Sequence, residues 1–600
     1  MTGGERSRLG AAAAAAVLAA VMTGCASVPT GGPVVRGSGG EDTGEGNGGY
    51  VRMLPAGPQP GVGENGLIKG FLRDMGSFEE NHHAARMYLM PGPRETWAPG
   101  GDVLVYESMD SISFDTDVSS DGTAATIRMR GPQIARITGN GQYIPEETGE
   151  VIDVTFELAR DDGGEWRIND LPDSLILGSR DVDRAYRPLN LYYFNRDKST
   201  LVPDPVFLPV SSDNLATRLV QKLVSGPTEW LEPAVGSAFP EGATVDVAFD
   251  SGSVTVELRG GPTAVRDRYG MGAQLAWTLK QLPEVQDFAL RIDGDNVDLP
   301  GGEEENLQAT DDQWDSVNPS GVSGDPSAYF IRDGQLWSLS GEGQDDDQNE
   351  ARVQGAPGVG DTPLQKHAVS LDEDRVAGIE AGLESVVLAE AAEGSEYDSV
   401  LSGGDYAALS WDGYGDLWVV EEEGGDRDDE ERSDPGSKLW LLRDGSEPFE
   451  VTAPELDDIA VSEFRISRDG TRAALIAEHE DGPRLYAGRV ISDGDDVSVG
   501  RLIPLARDLG EVADVAWRSG DQLAVLGQKE RGAAQAFLVS LDGSTETTSA
   551  GAPTGADMGA LTAAPGRPLL SSADDDQVWL TNDRLMWRYV TEGSNPVYPG

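Results

Sequence analysis

Cysteine is nearly absent from this chain: one residue, Cys25, in 600. A single thiol excludes an intramolecular disulfide, so packing and hydrogen bonding must hold the fold. Histidine occurs four times, at His82, His83, His367 and His479, and lysine seven times. One thiol and four scattered imidazoles leave no ligand set for zinc or thiolate chemistry of the CxxC or HExxH kind. No GxSxG elbow, phosphate-binding P-loop or GxGxxG turn after a strand is present either. Positive charge is scarce: 46 basic residues stand against 104 acidic ones, a net charge of −58 and a pI near 4.2. A body this acidic repels phosphate backbones, which excludes a nucleic-acid partner. The carboxylates read first as a solvated surface, with a saline habitat as the sharper alternative.

Long apolar runs are also missing, with one exception. Residues 9–22 form an uncharged stretch of 14 residues behind Arg6 and Arg8. It is too short to span a bilayer and has the length of a signal-peptide apolar region. It ends in Met22, Thr23, Gly24 and then Cys25. A small residue just before the cysteine and an apolar one three before it resemble the bacterial lipobox. There the thiol receives diacylglycerol and the chain is cut in front of it. The expectation is a lipoprotein signal peptide over 1–24, lipidation at Cys25 and a soluble, extracytoplasmic remainder. Residues 25–64 are rich in Gly, Pro, Ser and Glu without apolar periodicity, which predicts a flexible tether.

With 38% hydrophobic and 25% charged residues, the composition is that of a globular protein. At about 100–200 residues per domain, it has room for several cores. Over 65–185, Leu67, Ile68, Phe71, Leu72 and Met75 have helical spacing, and strands follow at 103–106, 151–158 and 166–168. Gly163-Gly164 reads as a hairpin turn. Helices before an antiparallel sheet predict an α+β domain similar to the NTF2-like cones. The adjacent His82 and His83 point apart on a helix, make a poor metal pair, and read as solvated.

Over 186–300 the predicted order is β, α, β, β, α, β. Leu215, Leu219, Val220 and Leu223 line one helix face, which stops at Gly226-Pro227. Val245-Val247-Phe249 and Val254-Val256-Leu258 alternate around Ser251-Gly252-Ser253 as a hairpin. A second helix is predicted over 274–283. The segments Leu223–Thr228, Ala238–Gly242 and Gln274–Pro283 resemble the GerMN domain, an α+β fold found in sporulation and germination proteins. That resemblance implies no catalysis, and each Gly and Pro has a structural reading as a turn or helix stop.

An acidic linker is predicted over 301–324 and a repeat array over 325–600. A turn with Ser, Asp and Gly before an apolar strand recurs at Ser370-Leu-Asp372, Ser410-Trp-Asp412 and Ser467-Arg-Asp469, with looser copies near Trp517 and Ala564. Spacings of roughly 40–57 residues predict an all-β propeller of about six blades. The turn aspartates are expected to cap backbone amides, with calcium binding as the alternative. Leu336-Trp337 and Leu585-Met586-Trp587 are candidates for closing the ring. The acidic runs 345–347 and 421–434 read as solvated insertions.

Lipobox, tether, α+β domain, GerMN-like domain and propeller, in that order, resemble the actinobacterial LpqB lipoprotein family, as do Cys25–Thr30 and Ser410–Val420. The resemblance implies a lipid-anchored accessory of a two-component system of the MtrA–MtrB type. Its implied partner is the extracellular domain of the membrane sensor kinase, with no cofactor and no metal. The implied outputs are cell-envelope homeostasis, division and development. Two alternatives stay open: a propeller hydrolase acting on envelope glycans through a carboxylate pair, and a small-ligand binder using the first domain's cone.

Overall fold

The computed structural model describes residues 57–600 except 78–79, 148, 211–214, 260–266, 293, 298–306, 322–323, 342–348, 424–435, 444–446, 480–481, 495, 530–531, 552–556, 574–575 and 582–585. Cys25, the lipobox and the acidic run 345–347 therefore lie outside the described residues, as does most of the tether.

Helix α1 (Glu64–Met75) buries Leu67, Ile68, Phe71, Leu72 and Met75, the residues whose spacing predicts it. It packs on a seven-stranded sheet of β1 (Val103–Tyr106), β2 (Ser113–Val118), β3 (Ala124–Ile137), β4 (Tyr143–Pro145), β5 (Val151–Arg160), β6 (Trp166–Asp170) and β7 (Leu175–Gly178). The fourteen-residue β3 organises this sheet. Its first half pairs with β2 and β5, its second with β1 and β4, and the exchange falls at Gly131-Pro132. Phe71 meets Tyr88, Trp97 and Phe156 with ring centroids 5.7–6.1 Å apart, filling the space between helix and sheet. His82 lies half-buried 5.9 Å from the Trp97 ring, and burial lowers its pKa; His83 is exposed. The solvated reading holds for His83 and not for His82.

The predicted tether runs too far. Gly57 N–H donates to Asp74 Oδ2 (3.1 Å) and Gly61 N–H to Glu165 (2.8 Å), so residues 57–64 are part of the first domain. The buried Asp74 carboxylate, which also accepts from Tyr88 Oη at 2.9 Å, supplies the anchor.

The second domain opens with a ribbon of β8 (Tyr186–Phe194) and β9 (Leu201–Pro209). Helix α2 (Leu215–Ser225) and helix α3 (Arg268–Leu279) join it to β10 (Thr244–Asp250), β11 (Ser253–Arg259) and β12 (Asp287–Ile292). The predicted hairpin is β10–β11, with Val247 opposite Val256. Ser251 (φ 52°) and Gly252 (φ 91°) form its left-handed two-residue turn. Helix α3 begins six residues before the predicted start, because Asp267 caps it by accepting from Gly270 N–H. Part of the predicted acidic linker is core. Leu307 pairs with β12, and Trp314 and Val317 are buried with α3, where Trp277 Nε1 donates to the Trp314 carbonyl at 3.1 Å. Leu307, Trp314 and Val317 in that stretch outweigh its acidity.

Six four-stranded antiparallel sheets follow. Their innermost strands are Leu364–Val369, Tyr406–Trp411, Val461–Ile466, Leu509–Ser519, Met558–Thr562 and Ser594–Val597, and each neighbours the next around a closed ring. An apolar cluster fills each of the six gaps between successive sheets. Ring closure differs from expectation. The strand Ser594–Val597 adds to Ala328–Arg332, so the last residues complete the first sheet. Leu336-Trp337 lies within the next strand of that sheet, Gln335–Ser340, and Met586-Trp587 precedes the outer strand Arg588–Glu592 of the last sheet. Apolar content marked these pieces, but closure needs backbone edges that meet.

Candidate functional site: the docked face of the propeller and its channel

The Ser-x-Asp turns at Asp372, Asp412, Asp469 and Asp521 leave an innermost strand and start the next strand outward, and the one at Asp542 joins the third and fourth strands of the fifth sheet. In the fourth sheet Asp469 Oδ1 accepts from Ser467 Oγ (2.7 Å) and Thr471 N–H (2.9 Å), while Arg472 N–H donates to Ser467 Oγ (3.0 Å). The Asp469 carboxylate also pairs with the wholly buried Arg472 guanidinium. Asp412 repeats the pattern, accepting from Tyr414 N–H (2.9 Å), Asp416 N–H (3.0 Å) and Trp418 Nε1 (3.0 Å). Asp372, Asp521 and Asp542 each accept from the serine two residues earlier. These oxygens cap their own turns, as the sequence predicts.

All these turns open on one face, and the second domain sits on it. Asn195 Nδ2 donates to Tyr414 Oη (2.8 Å), Asn190 Nδ2 to Asp521 (2.6 Å), and Arg472 to the Pro203 carbonyl (3.2 Å). Trp230 Nε1 donates to the Arg501 carbonyl while Arg489 donates to the Trp230 carbonyl, both at 2.7 Å. At Gly520 the approach is so close that a Cβ would lie 2.8 Å from the Pro319 carbonyl and 3.2 Å from the Pro203 ring. The first domain adds a contact at the rim, where Arg507 donates to the Ile134 carbonyl at 2.6 Å.

Inside the ring, a charged chain crosses the channel. Lys366 pairs with Glu463 (2.6 Å), and Arg465 lies 3.1 Å from Glu463 and 3.5 Å from Asp514. Asp514 also accepts from Val515 N–H (2.8 Å) and Leu561 N–H (2.7 Å), joining the fifth and sixth sheets. Burial, reinforced by Glu463, pushes the Asp514 carboxyl up to about 6. His367 is buried in the same channel, and burial beside Arg465 pushes its pKa down to about 4.

The GerMN-like motifs prove to be joints. Thr228 N–H and Oγ1 donate to the buried Asp204 (2.7 and 2.8 Å), pinning the Gly226-Pro227 corner to β9. Gln274 accepts from Ala238 N–H (2.7 Å) and donates to the Tyr192 carbonyl (2.6 Å), tying α3 to the Ala238–Gly242 segment and β8.

Comparison with known proteins decides the family. The family described as Lipoprotein LpqB beta-propeller domain matches residues 334–599, and Lipoprotein LpqB, N-terminal domain, matches 57–183. Sporulation and spore germination matches 190–298. Lipoprotein LpqB of Thermobifida fusca is 53% identical over 100% of both chains. The chain belongs to the LpqB lipoprotein family. Other LpqB proteins are more distant: that of Streptomyces avermitilis is 30% identical over 100% of this chain and 99% of its own. That of Streptomyces coelicolor is 30% identical over 97% and 96%.

In this LpqB-family chain, the residue singled out for modification, Cys25, lies outside the described residues. Sequence reasoning found the turn aspartates but missed the basic residues between them, Arg465, Arg468 and Arg472. Their signal was present: arginine flanks a turn aspartate in a chain short of cations. It also missed Asn195 and Trp230, whose partners lie hundreds of residues away.

Proposed function

We propose that this chain is a membrane-anchored extracytoplasmic lipoprotein, held by lipid on Cys25, that binds and modulates a two-component sensor kinase and has no catalytic activity. The observation that carries the reading is the docking just described. The second domain covers the turn face of the propeller and the first domain touches its rim at Arg507, so the opposite face and the rest of the rim are offered to a partner. In this reading the six sheets are six blades, and the first domain is an NTF2-like cone filled by its own aromatic side chains. The names of the curated relatives support membrane association, and among the described residues no helix is long and apolar enough to cross a membrane. The kinase, of the MtrA–MtrB type, follows from the family resemblance. A lipid anchor would raise the effective concentration of one membrane protein for another. Its outputs would be envelope homeostasis, division and development.

The hydrolase alternative needs a carboxylate pair free to act. Glu463 and Asp514 are the pair the channel offers, but Lys366, Arg465 and two backbone N–H groups already occupy them. The small-ligand alternative needs an open cone, and Phe71, Tyr88, Trp97 and Phe156 fill that space.

The test is a cross-linked pull-down from native membranes of C-terminally tagged wild type and Cys25→Ala. The expected result is a membrane-bound wild type that brings down a sensor kinase, and a variant that loses both. A soluble wild type, or one that captures only glycan fragments, would overturn the reading.

A further inference from the structure

Not every buried arginine of the ring is paired with a carboxylate. Lys366 and Arg465 are matched by Glu463 and Asp514, and Arg472 by Asp469. Arg468 has no ion pair of its own: Asp469, beside it in the chain, is the carboxylate that acts on it and is already paired with Arg472. Its side chain is buried at the end of the channel, where one guanidinium nitrogen donates to the Pro599 carbonyl at 3.2 Å. Its Nε has no partner among the described residues. Burial pushes its pKa down to about 10, the mark of a cation whose lost hydration is not replaced. A buried charge in that state is costly unless something of opposite sign meets it.

The same cavity holds a second group in want of a partner. His367 is 5% exposed, and neither ring nitrogen has a partner among the described residues. Arg468 and His367 both line this space, which measures about 40 Å³, and Ser410 and Thr562 complete its polar wall. Ser410 Oγ accepts from Ile466 N–H (3.2 Å) and Thr562 Oγ1 accepts from Tyr598 N–H (3.0 Å). Each hydroxyl therefore keeps its own proton to donate. Of the side chains that line the space, two are cations, Arg465 and Arg468, one is a neutral imidazole and two are aliphatic hydroxyls, and none is a carboxylate; Gly600 lies beside the Arg468 Nε.

We propose that the propeller channel binds one small monovalent inorganic anion, of chloride size, between Arg468 and His367. Size narrows the class. The space is comparable to the share of liquid volume of one water, about 30 Å³. It admits a halide and excludes a sugar acid, a nucleotide or an organic phosphate. A neutral His367 needs no proton to take part, since one of its nitrogens carries a hydrogen to donate. Arg468 belongs to the fourth sheet and His367 to the second, so the anion would fasten sheets that are not neighbours in the ring.

The experiment uses the full-length lipoprotein in detergent. Unfolding midpoints are measured in sodium chloride, sodium bromide and sodium gluconate at equal ionic strength, gluconate being too large for the space. The expected result is a saturable rise with either halide over gluconate, since a ligand of the folded state alone stabilises it by mass action. Arg468→Gln should abolish that rise. His367→Gln, which keeps the volume and the fold, should weaken the apparent halide affinity by about tenfold. Bromide-soaked crystals should show an anomalous peak beside Arg468 Nε. Equal midpoints in halide and gluconate would overturn the proposal, as would a halide effect that survives in both variants. So would bromide crystals without a peak in the channel, which would leave water or the chain's own terminal residues on the guanidinium.

Discussion

Asp204 shows what burial does to a carboxylate. It lies under the Gly226–Thr228 corner, and burial pushes its pKa up to about 6 despite two hydrogen bonds from Thr228. A folded pKa above the unfolded value of about 3.9 means the folded state holds the proton more tightly. This group's contribution to stability therefore falls as pH rises from about 4 to about 6. Asp204→Asn keeps an acceptor for Thr228 N–H and cannot ionise. Urea titrations from pH 4 to 7 should show the wild type losing on the order of 2–3 kcal/mol relative to the variant across that window. Parallel curves would sink the assignment. In the sequence Thr228 stands within a legible motif, but Asp204, between Pro203 and Pro205, looks like a polar break in a strand. Only its pairing with Thr228 explains a carboxylate there.

The turns repeat a local motif in unequal surroundings, so one substitution should have unequal effects. Asp469→Ala would strand the buried Arg472 and the Thr471 N–H, at a cost of about 3–5 kcal/mol. Asp372→Ala, at an exposed turn with the same serine contact, should cost about 1 kcal/mol. Chemical denaturation of the two variants checks this, and similar losses would show that burial is not what separates them. The most central strand of the first domain, β3, escaped the sequence reading. Its alternation is regular, with Ala125, Ile127 and Met129 buried, but the outward positions include Arg128 and Arg130, and Gly131-Pro132 reads as a stop. Those arginines pair with Asp153 on β5, and the proline falls where β3 changes partners, so neither ends the strand. Strand β9 carries Pro203, Pro205 and Pro209 because it pairs only with β8 and needs donors along one edge. Helices were easier, since the residues that bury α1 and α2 repeat within a few positions of each other.

At the scale of the molecule, closure and docking set stability. Removing residues 594–600 deletes the innermost strand of the first sheet and unmakes the ring. The truncated protein should lose its cooperative thermal transition and become protease-sensitive across the propeller, whereas a normal melt would show that three strands suffice there. Substituting both Trp230 and Asn195 by alanine removes hydrogen bonds that seat the second domain on the turns. Calorimetry should then resolve a separate transition for the propeller; a single unchanged transition would mean the interface does not depend on them. The sequence by itself determined the order of the domains, the GerMN-like joints, the repeat and the turn chemistry. It could do so because strand alternation, helix spacing and turn capping each depend on residues within a few positions of one another. The tertiary structure alone decided which strand closes the ring, which face the second domain covers and which arginine is left without a carboxylate. Those outcomes join residues up to 331 positions apart, as Asn190 meets Asp521, and at that range shape and charge select the partner without leaving a local pattern.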